Sequence, residues 1–431
     1  MAEPPTGTGS ATRGGRGGSL TLALVLGIGW VLAPGVLGPG MPGAVAAHAQ
    51  VGGECRQDRP QLVAEPPAAL ARLGATSAWQ TATGRGVVVA VVDSGVDVGN
   101  EHLAGGAVLS GVDLVGAEGD PRGWCDPAGH GTAVAGQIAA RPVTGSGLVG
   151  LAPDAVVLPV RIYHGTDASS DQAGTSPTTA RLAEGIRWAV DNGARIINVS
   201  ISSTVDDPRL SEAVQVAVDR GALVVASAGN RTTTDDTEDS PRYPAAYEGV
   251  LGVAAVDGQD TVTAASIHGS HVDVVAPGTA VVTAFHAAGD CMLAGDTAST
   301  SYATAYVSAA AALVAERYPD ETSAQWAHRL MVTAARTTSD RRDDLAGWGV
   351  IRPAAALAFV DDGAAPGPPS PLHPPREVPE PVTEPLPLGQ TADELAPAQE
   401  VSAWWALGGV VAVAGALIAS RLAPARHAPR R

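Results

Sequence analysis

Through the middle of the chain, short unbroken apolar runs alternate with stretches whose apolar positions recur at helical spacing. Residues 86–93 (GVVVAVVD), 194–202 (ARIINVSIS) and 221–230 (GALVVASAGN) rise through branched residues and stop at small or polar ones. That is the pattern of strands buried on both faces of a parallel sheet. Leu210 to Arg220, between the second and third runs, is amphipathic at the helical period. Strand alternating with helix predicts an α/β fold with a mainly parallel sheet. Further on, a hydroxyl cluster (Thr297, Ser299, Thr300, Ser301) leads into a long run of Ala, Val, Leu, Tyr and Ser, which predicts a tightly packed, buried helix beginning near Ser301.

The two ends follow other patterns. Arg13 and Arg16 precede an apolar run from Leu20 to Leu37, and Ala47-His48-Ala49 forms a small-x-small cleavage site. Residues 1–49 thus predict a signal peptide, with a mature chain from Gln50. Residues 401–422 are apolar and long enough to span a bilayer, with Trp404 and Trp405 at one interface and the basic tail 423–431 beyond the other. The arginines of the tail place it in the cytoplasm and everything before the span on the extracytoplasmic side. Residues 361–400, crowded with proline and without apolar periodicity, predict a semi-rigid extended linker.

A chain of 431 residues is long enough for a sizeable core. Its balance of 27 basic to 44 acidic residues, a net charge of -17, argues against a nucleic-acid partner. Cys55, Cys125 and Cys291 all fall in the part expected outside the cytoplasm, so one disulfide is expected, with three pairings open. None has CxxC spacing, and the acidic residues around 235–239 read as solvated charge, so no metal is expected.

Four short stretches carry candidate chemistry. Asp93 ends the first apolar strand, where open α/β sheets place their sites. His130, between Gly129 and Gly131, stands at the start of a helical stretch. Asn230 ends the third strand and offers an amide donor to an oxyanion. Ser301 opens the buried helix, where the helix dipole favours developing negative charge. His102, His268, His271 and His286 stand in no comparable context and read as ordinary surface or core residues.

Asp93-Ser94-Gly95, His130-Gly131-Thr132, Ser227-Ala228-Gly229-Asn230 and Thr300-Ser301-Tyr302-Ala303-Thr304 resemble, in order, the four signatures of subtilisin-like serine proteases. Tyr243-Pro244-Ala245-Ala246, residues 272–278 (VDVVAPG) and 347–351 (GWGVI) are similar to further stretches of that family. The resemblance implies a subtilisin-like three-layer α/β/α fold over residues 81–360, plus one C-terminal transmembrane helix. It implies Asp93, His130 and Ser301 as catalytic residues, Asn230 in the oxyanion hole, and a protein or peptide substrate bound along Ser200, Ile201 and Ser202 with Ala228 and Gly229 walling the specificity pocket. Hydrolysis of this kind needs no cofactor. Ser299 and Ala305 stand where the family usually has Gly and Pro, and the lost Gly bears on the backbone that enters the nucleophile turn.

The whole-chain plan resembles one branch, the mycosins, which are membrane-anchored subtilases of type VII secretion systems. The shared features are the signal peptide, a short extension (residues 50–80) before the first strand, the linker and the single span. The likeness implies processing of secretion substrates, association with the secretion membrane complex, and a Cys55–Cys125 disulfide that leaves Cys291 free. The alternative is a catalytically weak or inactive cap or scaffold of the same machinery. Two polar insertions, residues 165–180 and 231–241, read as flexible surface loops that narrow the substrate range.

Overall fold

The computed structural model describes residues 55–116, 119–234, 236–374 and 395–422. The expected signal peptide and basic tail lie outside these residues. In chain order the elements are α1 (Ala68–Arg72), α2 (Ala75–Ala78), β1 (Val88–Asp93), β2 (Val112–Asp113), α3 (His130–Ala139), β3 (Val156–Arg161), α4 (Ala168–Ala173) and α5 (Thr179–Asp191). There follow β4 (Ile196–Val199), α6 (Pro208–Asp219), β5 (Leu223–Ser227), β6 (Val250–Val256), β7 (Val274–Pro277), β8 (Val281–Ala284) and β9 (Asp290–Leu293). The chain then forms α7 (Thr300–Arg317), α8 (Ser323–Val332), α9 (Pro353–Ala358) and α10 (Ala396–Leu422).

Seven parallel strands form one sheet in the order β2-β3-β1-β4-β5-β6-β7, and β8 and β9 pair antiparallel beside it. Side chains alternate faces along a strand, and the two layers of helices divide accordingly. Val89 and Val91 pack on the side of α3 and α7, with Ile196, Leu223 and Val225. Ala90 and Val92 pack on the side of α5 and α6, with Ile197, Val199 and Val224. Asp93 shares the parity of Val89 and Val91, so the pleat alone turns its carboxylate toward α3. Helix α7 runs through the core and is buried over nearly its whole length. Only a helix of small residues can be enclosed on all sides and still lie close to the sheet.

Several expectations need correction. Cys55 pairs with Cys291, their Cα atoms 5.8 Å apart, and Cys125 is the free thiol. The cause is the path of the N-terminal extension, which runs along the β8–β9 hairpin: Gln61 N–H donates to Ala288 O (3.1 Å), Asp290 N–H to Gln61 O (2.8 Å) and Val63 N–H to Asp290 Oδ2 (2.9 Å). Cys55 is thereby delivered to β9. The first insertion is not wholly a loop, because it holds α4, capped by the Asp167 carboxylate at its start and by left-handed Gly174 at its end. The second is pinned by two arginines. Arg231 pairs with Asp239 and donates to Ala264 O (3.0 Å), and Arg242 donates to Asp236 O (2.7 Å) and Ser240 O (3.0 Å).

The early part of the expected linker, 361–374, folds back instead of extending. Ser370 Oγ donates to Asp361 Oδ2 (2.6 Å), and Arg336 reaches Pro366 O (2.8 Å). At its far end α10 starts at Ala396, ahead of the expected span. Helix α10 is long and apolar enough to cross a membrane, and none of it is buried.

Candidate active site

The site lies at the carboxyl end of β1, β4 and β5. Asp93 is fully buried, and its Oδ1 accepts from His130 Nδ1 (2.8 Å), Ser94 N–H (2.8 Å), Ser94 Oγ (3.2 Å) and the Tyr163 hydroxyl (2.8 Å). Oδ2 has no partner among the described residues. Burial opposes the charge on Asp93, yet the adjacent His130 and these hydrogen bonds outweigh it and hold the carboxyl below its usual range. For His130 burial disfavours the imidazolium, but the charge and hydrogen bond of Asp93, with the charge of Asp126 behind them, raise its pKa.

His130 is the first residue of α3, and close approaches on both sides set its place. Gly129 is left-handed (φ 73°), and a Cβ there would overlap the His286 ring; one at Gly131 would overlap the Gly95 carbonyl. Buried Asp126 caps the helix, accepting from Gly129 N–H (2.8 Å), Thr132 N–H (2.7 Å) and Thr132 Oγ1 (2.6 Å). Burial, joined by the charge of Asp93, lifts its pKa above the ordinary carboxylate value. The Tyr302 ring stacks on His130 at 5.8 Å, which ties the start of α3 to the start of α7.

Ser301 occupies the first turn of α7, 7% exposed. Its Oγ donates to Ser200 O (3.0 Å) rather than to the imidazole. Ser200 Oγ in turn donates to Ser301 O (3.1 Å) and accepts from Asn198 Nδ2 (2.9 Å), so the segment beyond β4 and the helix start are locked together. Ser299, in the place of the family's usual Gly, has φ -118° and ψ 124°. This is ordinary extended backbone open to any residue, and the substitution carries no backbone strain.

Asn230 Oδ1 accepts from Thr300 N–H (2.8 Å) and Thr300 Oγ1 (3.0 Å). A main-chain N–H can only donate, so the carbonyl end of the amide is committed to Thr300 and the NH2 end is the one turned elsewhere as donor. Ser227 Oγ, 2.6 Å from Thr300 Oγ1, completes this network. Across the cleft Ser202 lies against Gly229: a Cβ on Gly229 would sit 2.9 Å from Ser202 Oγ and 3.3 Å from Arg242 Cγ. Ala228 is buried behind it, and Ile201 is half-buried at the β4 edge.

The fold thus gathers Asp93, His130, Asn230, Ser301, Ser200, Ser202 and Gly229 at one end of the sheet, whereas Cys55 and Cys125 are not joined. Sequence reasoning missed Tyr163, Asp126 and Thr300 as parts of the site. Asp126 stands four residues ahead of the helix start, where an Asp is no standard capping signal. Tyr163 carries no signal either, being one aromatic after an apolar strand. The four histidines set aside as ordinary are buried: His102 is ion-paired with Asp290 at 2.8 Å, His271 Nε2 is 3.2 Å from Ala228 O, and His286 lies 3.0 Å from Gln57 Nε2.

Comparison with known proteins gives the family. The model of the subtilase family, peptidase S8, matches residues 84–349. Mycosin-1 of Mycobacterium tuberculosis is 35% identical over 367 residues, 75% of this chain and 79% of its own. Thermitase of Thermoactinomyces vulgaris is 37% identical over 57% of this chain and 81% of its own. Among solved structures, MycP1 from Mycobacterium smegmatis superposes with a TM-score of 0.61 at 30% identity, over 74% of this chain and 92% of the other. The MycP3 protease from the type VII (ESX-3) secretion system gives 0.60 at 30% identity, over 70% and 92%. The chain belongs to the subtilase family of serine proteases and, within it, to the mycosins.

Proposed function

We propose that the chain is a membrane-anchored serine endopeptidase in which Ser301 Oγ attacks a peptide carbonyl, His130 takes its proton and returns it to the leaving amine, and Asp93 fixes the ring and stabilises its charged form. The observation that carries this reading is the Asp93–His130 pair (2.8 Å) set beside Ser301 at the start of a buried helix. Asn230, its NH2 end turned from Thr300, and the Ser301 N–H are the oxyanion donors. Attack requires Ser301 Oγ to leave Ser200 O, as a χ1 rotation to another staggered position allows, and to meet the imidazole. An extended substrate pairs along Ser200, Ile201 and Ser202, the segment beyond the end of β4. Ser202 pressed against Gly229 makes the specificity slot shallow and suits it to small side chains.

Residues 50–80 serve as an N-terminal extension of the peptidase domain (81–360), residues 361–400 as linker, and 401–422 as the span, with the catalytic domain outside and the C-terminus in the cytoplasm. MycP1 is described as an essential component of the type VII (ESX-1) secretion system. We extend that setting to this chain, with secretion substrates as its targets and the membrane complex as its partner. The test is labelling of the full chain in detergent with a fluorophosphonate, the adduct located by mass spectrometry. A His130-dependent adduct on Ser301 is expected. A folded chain that takes no label refutes the enzymatic reading. The commitment of Ser301 Oγ to Ser200 O favours a second reading, a scaffold with a resting site, and Ser301→Ala separates the two. If the chain acts as an enzyme, Ser301→Ala abolishes substrate processing, whereas if it is a scaffold the variant matches wild type in both processing and secretion.

A further inference from the structure

β3 lies beside β1 in parallel register, Arg161 opposite Asp93, and Ile162 N–H donates to Asp93 O (2.8 Å). Tyr163, two residues beyond Arg161 and past the end of β3, packs its ring, 4% exposed, on the α5 and α6 side of the core. Its hydroxyl reaches the carboxylate from there. The hydroxyl is 2.8 Å from Asp93 Oδ1 and 3.3 Å from His130 Nδ1. The two donors therefore share one oxygen, while Asp93 Oδ2 has no partner among the described residues.

We propose that Tyr163 is a positioning residue of this site: its hydroxyl, donated to the Asp93 oxygen that His130 also uses, fixes the carboxylate against the ring and withdraws part of the charge the imidazole feels. The inference rests on the proposed function of Asp93, His130 and Ser301. A hydrogen bond given to a carboxylate stabilises its charge and lowers its basicity toward other donors. Asp93 so engaged, in addition to its bonds from Ser94, supports the imidazolium less strongly, and His130 gives up its proton at lower pH than it would without this hydroxyl. Burial first, then the charge of Asp93, push the Tyr163 phenol well above its ordinary range, so it stays a donor throughout the working pH range.

The other titratable and charged groups around the pair have contacts of their own. Asp126 is buried behind α3, with its own hydrogen bonds to Thr132. Tyr302 of α7 meets His130 through its ring. On the β3 side Arg161 is paired with Asp113 and donates to Cys125 O (3.2 Å). His164, next in the chain, is kept toward its neutral form by burial and by Arg161.

The experiment is the rate of fluorophosphonate labelling at Ser301 in the full chain in detergent, measured from about pH 5 to about pH 9, where the acid limb reports the ionisation of His130. For Tyr163→Phe the midpoint of that limb moves up by about half a unit, a roughly threefold loss of rate below the midpoint. Tyr163→Leu, which loses the ring as well, shows the same shift with a lower plateau. The midpoint does not depend on the fraction of chain that folds, so partial misfolding does not mask it. Coincident midpoints for wild type and Tyr163→Phe, or a shift in Tyr163→Leu alone, overturn the inference and reduce Tyr163 to packing. A folded wild-type chain that takes no label overturns the proposed function itself, and this inference with it.

Discussion

Single side chains decide this site through which of their atoms are already engaged. Asn230 has its carbonyl end tied to Thr300, so its amide N–H bonds are aimed before any substrate arrives. Preorganised donors are worth most when charge develops between them. Asn230→Ala should therefore lower kcat/KM by about a hundredfold to a thousandfold, mostly in kcat, as read on a peptide substrate. A loss confined to KM would show that the amide serves ground-state binding. Ser202→Gly removes the hydroxymethyl that lies against Gly229 and should widen the slot. Profiling on a peptide library should then show larger side chains accepted next to the scissile bond, while small ones are still cleaved. An unchanged profile would place the selecting contact elsewhere.

At the scale of elements, the N-terminal extension is fastened by a buried pair as well as by the Cys55–Cys291 bridge. Asp290 is ion-paired with His102 (2.8 Å) and accepts from Ser146 Oγ (2.6 Å) and Val63 N–H (2.9 Å). Burial opposes the charge on His102, but its bonds to Asp290 and the Arg141 carbonyl raise its pKa. Its contribution is therefore present at low pH and lost as pH rises through that raised value. Burial opposes the charge on Asp290 too, while His102, Ser146 and Val63 N–H hold its pKa below the ordinary value. That contribution is present above the ordinary carboxylate range and lost as pH falls through the depressed value. With the disulfide reduced, limited proteolysis of the extension should be slowest between these limits and faster on either side. A rate of cutting that follows only the protease's own pH dependence would assign the docking to backbone pairing.

The same elements show what the chain made legible. β1, β4 and β5 follow from unbroken apolar runs because strands buried on both faces admit nothing else. Asp93, Asn230 and Ser301 follow because each stands where such an element starts or stops. Helix α4 escaped notice because none of its residues is buried. It has no apolar stripe, and only Asp167 and Gly174 at its ends announce it. The cysteine pairing escaped because it depends on where residues 55–63 run across the surface, a tertiary path that no local pattern records. Tyr163 escaped because its role comes from where the chain runs past the end of β3, and an aromatic residue after an apolar run looks the same whatever its hydroxyl meets.

For the whole molecule, the exposed helix α10 is the one described element long and apolar enough to join the peptidase to a membrane. A chain ended before Ala396 should move from the membrane fraction to the soluble fraction with its Ser301 labelling intact, as fractionation and probe labelling would show. Retention on washed membranes would demand a second point of attachment. The length of this helix has a further consequence. Its 27 residues extend to about 40 Å, whereas the hydrocarbon layer is about 30 Å thick. With Trp404 and Trp405 settled among the headgroups, the mismatch falls before them, where Ala396 to Ser402 continue as a rigid collar above the lipid surface. Rotation at the membrane exit is thus resisted by a helical post that reaches back to Ala396.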